Sequence, residues 1–177
     1  IGEKGGTVQV LSKLVGPFFS KLFPDVPEDH PARGSMLMNF SANMLGLDNA
    51  ATPMGLKAMG QLQEINPDKE RASNAQIMFL VLNTSGLTII PVSIIALRAS
   101  GGSDNPSLVF LPILLATFVS SLCGLIITSI YQKINLFQPV VLAYIGGLSL
   151  VIISLFLYLG TLDKEQLEIA SNLISSS

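Results

Sequence analysis

Residues 105–132 read NPSLVFLPILLATFVSSLCGLIITSIYQ, and after the single Lys133, residues 134–162 read INLFQPVVLAYIGGLSLVIISLFLYLGTL. Neither stretch contains an Asp, Glu, Lys or Arg. An α-helix needs about 20 predominantly apolar residues to cross the hydrocarbon core of a bilayer. A chain of 177 residues is too short to cover two such helices on all sides as the core of a soluble domain. The pattern therefore predicts two continuous transmembrane helices, at residues 106–132 and 134–162.

The composition of the whole chain agrees with this interpretation. Charged residues make up 12% of the sequence, against roughly 25% in a soluble domain. The net charge of −2 offers no basic surface for nucleic acid. The sequence has no phosphate-binding loop and no nucleophile–base pair around its single histidine, His30. We therefore expect no catalytic residues, no metal and no cofactor, and a lipid bilayer as the surroundings.

A third charge-free stretch, residues 72–97, is long enough to span the membrane but is interrupted. Asn83-Thr84-Ser85-Gly86 lies in its middle, and Pro91 follows. Proline removes a backbone donor and glycine loosens a helix. Non-helical backbone at membrane depth is tolerated only where it is buried in protein or lines a cavity. The stretch predicts one broken transmembrane helix.

A fourth segment, residues 34–62, is too short for a crossing. Its charge-free part ends at Leu47 and would rise about 21 Å as a helix, short of the ~30 Å hydrocarbon core. Residues 48–53, which read DNAATP, follow, and then a second short helical pattern at Met54–Leu62. The segment predicts a re-entrant helical hairpin, with a turn near residues 46–49 and both ends on the same side of the membrane.

The two ends of the chain differ from the apolar centre. Residues 1–33 predict an interfacial amphipathic helix followed by a proline-rich elbow, and residues 163–177 predict a polar tail. The first residue is Ile1, and we expect the membrane domain, residues 1–162, to be incomplete at its N-terminus. The apolar stripe of the amphipathic helix consists of Val8, Leu11, Leu14, Val15, Phe18, Phe19, Leu22 and Phe23.

The distribution of basic residues predicts the orientation in the membrane. If the hairpin returns to its own side and the three long segments each cross, one side carries eight basic residues and the other carries only Arg98 and Lys164. The excess of Lys and Arg marks the cytoplasmic side. The eight residues on that side are Lys4, Lys13, Lys21, Arg33, Lys57, Lys69, Arg71 and Lys133.

Polar residues within the charge-free segments are the candidate binding residues. An amide without a partner in hydrocarbon costs several kcal/mol, so these groups must face protein, water or a solute. Residues 40–47 and 82–87 are both apolar runs interrupted by Asn, Ser and Gly, which suggests that the two breaks face each other. The candidate substrate-binding residues are Asn39, Asn43, Asp48, Asn49, Thr52, Asn83, Thr84 and Ser85.

Two alternatives remain open for this polar set. Asn, Ser and Thr inside helix bundles often only bond from one helix to another. Asp48 could cap the second helix of the hairpin, a frequent role for Asp. Asn39 and Asn43 are four residues apart and are expected to share one helix face.

The sequence resembles a known family. Residues 38–53 read MNFSANMLGLDNAATP, residues 73–76 read SNAQ, and residues 83–88 read NTSGLT. These motifs are similar to those of the spore maturation protein A family, and the similarity extends from residue 1 to about residue 130. The family belongs to the nucleoside-recognition, or Gate, group, which is related to concentrative nucleoside transporters and ferrous iron transporters. The resemblance implies a role, together with spore maturation protein B, in spore core dehydration.

Together these inferences predict an all-α polytopic protein of the bacterial cytoplasmic (inner) membrane. It would contain the interfacial helix, the re-entrant hairpin, one broken span and two continuous spans. Transporters built from inverted repeats need two halves, whereas this chain has one hairpin and one broken helix. The first hypothesis is therefore half of a transporter or channel for a small polar solute, completed by a spore maturation protein B-like Gate partner or a homo-oligomer. The alternative is a structural membrane subunit.

Overall fold

A computed structural model describes residues 16–89 and 91–160, apart from the side chains of Asp48, Leu159 and Gly160. Most of the predicted interfacial helix and the predicted tail at residues 163–177 lie outside the described residues. The described part of the chain is helical and contains no strand. After a helical segment at residues 16–22, the helices are α1 (Pro31–Met44), α2 (Asp48–Glu64), α3 (Asn74–Ser85), α4 (Val92–Ser100), a 3₁₀ turn (Pro106–Val109), α5 (Phe110–Gln132) and α6 (Pro139–Gly160).

Helices α1 and α2 form a tight helical hairpin. Gly46 has a left-handed conformation, with a φ of 63°. The Gly46 N–H donates to the Asn43 carbonyl at 2.9 Å, and the Leu47 N–H donates to the Ala42 carbonyl at 2.9 Å. These two bonds define a Schellman motif, which uses glycine where the chain must turn sharply after a helix. The predicted turn near residues 46–49 is confirmed as a hairpin turn at residues 45–47.

The bounds of the hairpin differ from the prediction at both arms. The first arm begins at Pro31 rather than at residue 34, with His30 as its N-cap. The second arm begins at Asp48 rather than Met54, so residues 48–53 are helical. Pro53 lies inside α2, where it cannot donate to the Asn49 carbonyl. The helix tolerates this loss because it affects one bond close to its start.

The predicted broken span is indeed two helices, although the break lies further along the chain. A capping box begins α3: the Ser73 hydroxyl accepts from the Gln76 N–H, and the Gln76 side chain accepts from the Ser73 N–H. The helix ends at Gly86, whose φ is 52°. Residues 86–89 and residue 91 are non-helical, and α4 begins at Val92. Asn83, predicted to lie in the break, instead lies within the last turn of α3.

Helices α5 and α6 match the two predicted continuous spans. The apolar helical stretch at Pro106–Gln132 has a mean hydropathy of 2.3, and that at Pro139–Tyr158 has 2.6. In the most apolar part of each stretch only 11% of the residues are buried inside the protein, which leaves most of the others able to contact lipid. The second span starts at Pro139 rather than at residue 134, because Lys133 adopts a left-handed conformation (φ 56°) and ends α5. Proline is favoured in the first turn of a helix.

The N-terminal segment packs into the protein core. Phe19, Leu22 and Phe23 are buried in one cluster with residues of α1 and α3, including Met36 and Phe79. In its described part, at residues 18–23, the apolar stripe of the predicted interfacial helix therefore packs against protein. A stripe at helical spacing marks a buried face but does not identify what covers that face.

Arg33 holds the proline-rich elbow against this core by hydrogen bonds. Its Nη2 donates to the Val26 carbonyl at 2.7 Å, its Nε donates to the Pro27 carbonyl at 3.0 Å, and its Nη1 donates to the Ser20 hydroxyl at 2.8 Å. A guanidinium group holds several acceptors in one plane, which an ammonium group cannot do. The elbow therefore has a fixed geometry relative to α1.

Candidate functional site

Three asparagines from two helices form one chain of hydrogen bonds. The Asn43 amide donates to the Asn83 side-chain oxygen at 2.7 Å and approaches the Asn39 side-chain oxygen at 3.5 Å. The Asn83 amide in turn donates to the Phe79 carbonyl at 2.8 Å. The Asn39 amide donates to the Ala51 carbonyl of α2 at 2.8 Å. This amide chain joins α1, α2 and α3.

The position of Asn39 depends on Gly55. Asn39 is only 3% exposed, and it lies where α1 crosses α2. A Cβ atom added at Gly55 would lie 2.9 Å from the Asn39 amide nitrogen, closer than van der Waals contact allows. Glycine at this position therefore lets the two arms of the hairpin approach closely enough for the Asn39–Ala51 bond to form.

The end of the hairpin meets the break between α3 and α4. The Ile89 N–H donates to the Met44 carbonyl at 2.8 Å, and the Ser93 hydroxyl donates to the Gly46 carbonyl. These two bonds fill carbonyl positions that the end of α1 leaves without intrahelical partners. The expectation that the two breaks face each other is confirmed by these contacts.

A cavity of about 360 Å³ lies beside the amide chain. Its size falls within the ~300–1,000 Å³ range of small-molecule sites. Asn43 is the member of the amide chain that lines it, and its side-chain oxygen accepts no hydrogen bond from the described residues. The N-terminal segment, α1, and α3 with the break after it contribute Phe18, Phe19, Leu37, Phe40, Ser41, Asn43, Met44, Leu82, Gly86 and Leu87. Helices α5 and α6 contribute Phe118, Ser121, Leu122, Leu125, Tyr144, Ile145 and Leu148.

The other candidate residues lie away from this cavity. Asn49 and Thr52 are exposed on the first turns of α2. Thr84 is also exposed, and its hydroxyl donates to the Leu80 carbonyl of its own helix. The Ser85 hydroxyl donates to the Leu82 carbonyl at 3.0 Å. The side chain of Asp48 lies outside the described residues.

Sequence reasoning missed Ser121. This serine of α5 lines the cavity, and its buried hydroxyl has no hydrogen-bond partner among the described residues. Nothing in the sequence distinguishes it from the neighbouring Ser120, because one serine within an apolar span usually bonds its own helix. Only the folded arrangement of the helices singles it out.

A second buried polar cluster was also missed, at the loop between α2 and α3. The Asn66 amide donates to the Arg71 carbonyl at 2.7 Å and to the Gln76 side chain at 3.1 Å. The Gln76 amide donates to the Gln63 side chain at 2.9 Å. These residues satisfy one another, and the cluster fixes the loop that orients α3.

Comparison with known proteins identifies the family. The family described as nucleoside recognition (Gate) matches residues 1–101, which include the hairpin, the break and the amide chain. The chain belongs to this Gate family. It is also 46% identical over 127 residues to spore maturation protein A of Bacillus subtilis (strain 168). That alignment covers 72% of this chain and 65% of the relative, so the chain spans just under two thirds of the relative's length. No solved structure matches the chain.

The resemblance stated from the sequence motifs is therefore confirmed. Family membership and the two apolar helices together indicate a membrane location.

Proposed function

We propose that this chain is one half of a membrane transporter or channel for a small, nucleoside-like polar solute. The observation that carries the proposal is Asn43, a residue of the 360 Å³ cavity's wall whose amide donates to Asn83 at 2.7 Å and whose side-chain oxygen accepts no hydrogen bond from the described residues. A polar group that is held rigidly at the wall of an apolar cavity is the usual arrangement for orienting a ligand. The broken α3–α4 segment and the hairpin supply the helix ends that transporters place around their solutes.

In this proposal the chain crosses the bacterial cytoplasmic membrane several times, and the hairpin of α1 and α2 is re-entrant. At 14 and 17 residues, these helices would rise about 21 Å and 26 Å, less than the ~30 Å hydrocarbon core. The excess of basic residues supports a cytoplasmic location for the N-terminal side.

A second Gate chain would complete the transporter. The exposed surface at the end of the hairpin combines polar Asn49 and Thr52 with the apolar side chains of Leu45, Leu47 and Leu56, which are 44%, 42% and 71% exposed. A mixed surface of this kind suits a protein partner better than lipid, because unpaired amides are costly in hydrocarbon. The partner would be a spore maturation protein B-like chain or a second copy. We extend the proposal, through the family resemblance, to a role in spore core dehydration.

The alternative is that the chain is a structural subunit. The hydrogen bonds of the amide chain support this alternative. The bonds among Asn39, Asn43 and Asn83 hold three helices together whether or not a solute binds. Hydrogen bonds of this kind contribute about 0.6 kcal/mol each on average in membrane proteins. On this alternative their loss would lower stability and partner assembly, and no solute would bind.

Asn43→Ala distinguishes the two functions, with Asn74→Ala as the matched control. Asn74 is an exposed asparagine at the start of α3. The complete complex is reconstituted in liposomes, and uptake of nucleosides, amino acids, dipicolinate and metal ions is measured beside thermal unfolding. We expect Asn43→Ala to abolish uptake of one solute and its stabilising effect, while Asn74→Ala retains both. Unchanged uptake and solute binding in Asn43→Ala would refute the transporter proposal, and loss of stability without any bound solute would favour the structural subunit.

A further inference from the structure

A second cavity, of about 870 Å³, lies at the base of the hairpin, where α1 begins and α2 ends. Its wall combines the segment at residues 16–21, the elbow, the first two turns of α1, the second half of α2 and the first turn of α6. Phe19 and Leu37 lie in the walls of both cavities, but no asparagine of the amide chain lines this one. The second cavity is therefore distinct from the proposed solute site.

Val140 indicates the depth of this cavity in the membrane. It lines the cavity and is the second residue of α6, and the apolar stretch Pro139–Tyr158 begins one residue before it. The hydrocarbon core next to this span therefore begins at the level of the cavity. A headgroup layer of about 5–7 Å lies outside the hydrocarbon core on each side of a bilayer. The cavity thus lies where the phosphates of membrane lipids are found.

Charged side chains form part of the wall of this cavity. With His30 neutral, the wall carries one more positive charge than negative. The Ser20 hydroxyl lies 3.3 Å from a carboxylate oxygen of Glu28 and accepts from the Arg33 guanidinium at 2.8 Å, so this carboxylate lies beside a cation of the same wall. The charged residues are Lys21, Glu28, Asp29, Arg33 and Lys57.

Arg33 is held in place before any ligand binds. Its bonds to the Val26 and Pro27 carbonyls and to the Ser20 hydroxyl use three of its five N–H groups. One N–H on each terminal nitrogen has no acceptor among the described residues, and a fixed guanidinium with free N–H groups is well suited to a phosphate. Lys21 directly follows Ser20, is exposed, and makes no hydrogen bond or ion pair with another described residue. Its flexible stem allows the ammonium group to reach the same phosphate.

We propose that this cavity binds the headgroup of a phosphatidylglycerol-type lipid, with the phosphate on Arg33 and Lys21. The single charge of the phosphodiester matches the single excess positive charge of the wall, to which Lys57 contributes. Hydroxyl groups of the headgroup donate to the exposed carboxylate of Asp29, and the two carboxylates disfavour a ligand with more than one negative charge.

The apolar part of the wall supports a lipid rather than a free phosphate ester. Met38 and Val140 are half-buried residues of this wall, and they give the first carbons of an acyl chain an apolar surface. Basic pockets between membrane helices on the cytoplasmic side are a recurrent form of lipid headgroup site. This inference requires a membrane location but no transported solute, and it therefore goes beyond the proposed function.

The test measures thermal unfolding of the full chain, purified in a mild detergent, against added lipid. Dioleoylphosphatidylglycerol and dioleoylphosphatidylcholine are compared at equal mole fractions in the micelles. We expect phosphatidylglycerol to raise the unfolding temperature to a plateau, and phosphatidylcholine, whose headgroup has no net charge, to have little effect. Glycerophosphoglycerol, the same headgroup without acyl chains, should have no effect at the same concentration, because it makes no contact with the apolar part of the wall.

Lys21→Gln is compared with Arg71→Gln as a matched control. Arg71 is an exposed basic residue of the loop between α2 and α3, on the same side of the membrane in the proposed topology, and it does not line the cavity. We expect Lys21→Gln to weaken binding of phosphatidylglycerol about fivefold and Arg71→Gln to leave it unchanged. Without lipid, Lys21→Gln should unfold at the native temperature, because it removes an exposed side chain that has no partner among the described residues.

Three outcomes would overturn the inference. Equal stabilisation by phosphatidylglycerol and phosphatidylcholine would mean that the phosphodiester charge is not recognised. Equal weakening in Lys21→Gln and Arg71→Gln would mean that lipid responds to the general surface charge and not to this cavity. Stabilisation by glycerophosphoglycerol as large as that by the lipid would assign the cavity to a soluble phosphodiester. None of these outcomes bears on the uptake measurement with Asn43→Ala, so the proposed function is tested separately.

Discussion

Substitution of Gly55 by alanine tests how the hairpin positions the amide chain. The added Cβ would lie 2.9 Å from the amide nitrogen of Asn39, which is itself held by the Ala51 carbonyl at 2.8 Å. Asn39 is buried and cannot exchange this partner for water. Either the two arms of the hairpin separate or the Asn39–Ala51 bond breaks.

The size of the effect follows from two opposing contributions. Alanine in place of glycine stabilises a helix interior by about 1 kcal/mol. Loss of the partner of a buried amide costs about 1–3 kcal/mol. We therefore expect Gly55→Ala to lower the free energy of unfolding by about 0–2 kcal/mol. Gly60→Ala, on the same helix with no atom within 4 Å of the added Cβ, should raise it by about 1 kcal/mol.

Thermal unfolding of the two variants in one detergent gives the measurement. The expected difference of about 1–3 kcal/mol corresponds to about 2–12 °C for a chain of this size, with Gly60→Ala the higher. In an Asn39→Ala background the obstructing side chain is absent, and Gly55→Ala should become as favourable as Gly60→Ala. Equal unfolding temperatures for Gly55→Ala and Gly60→Ala in the otherwise native chain would refute the close crossing of α1 and α2.

Two further substitutions test other contacts. Gly124→Ala places a Cβ 2.9 Å from a methyl of Val81 and should destabilise the packing of α3 on α5 by about 1–3 kcal/mol. Val81→Ala in the same chain should reduce this effect. An unfolding temperature that stays at the native value in Gly124→Ala would contradict this packing. A lysine at position 33 cannot bind the Val26 carbonyl and the Ser20 hydroxyl at the same time, so Arg33→Lys should lower the free energy of unfolding by about 1–2 kcal/mol. We expect faster proteolysis at the elbow in this variant. Unchanged proteolysis would show that the guanidinium is dispensable.

The sequence was most informative about the long helices. Two charge-free runs predicted α5 and α6, because length and apolarity alone identify a span. The start of α6 was misplaced because absence of charge does not mark a helix end, whereas Pro139 and the left-handed Lys133 do. The turn at Gly46 was also predictable, since glycine after a helix commonly takes the left-handed position.

The site was predictable only in part. The four-residue spacing of Asn39 and Asn43 predicted a shared helix face, and the 3.5 Å approach of their side chains agrees. Asn49 and Thr84 were grouped with them by residue type, but helical rotation turns both outward. Ser121 and the aromatic lining come from distant parts of the chain, and pairing between helices that far apart leaves no local pattern to read.

The junction between the end of the hairpin and the break limits how the chain can move. Segment 87–101 lies between two glycines with left-handed backbone, Gly86 (φ 52°) and Gly102 (φ 78°). Within this segment, the Ile89 N–H donates a hydrogen bond to the Met44 carbonyl. Displacement of the hairpin must either break that hydrogen bond or move α4 with it as a rigid body that rotates about the two glycines. Displacement of the hairpin and movement of α4 would then be a single mechanical event.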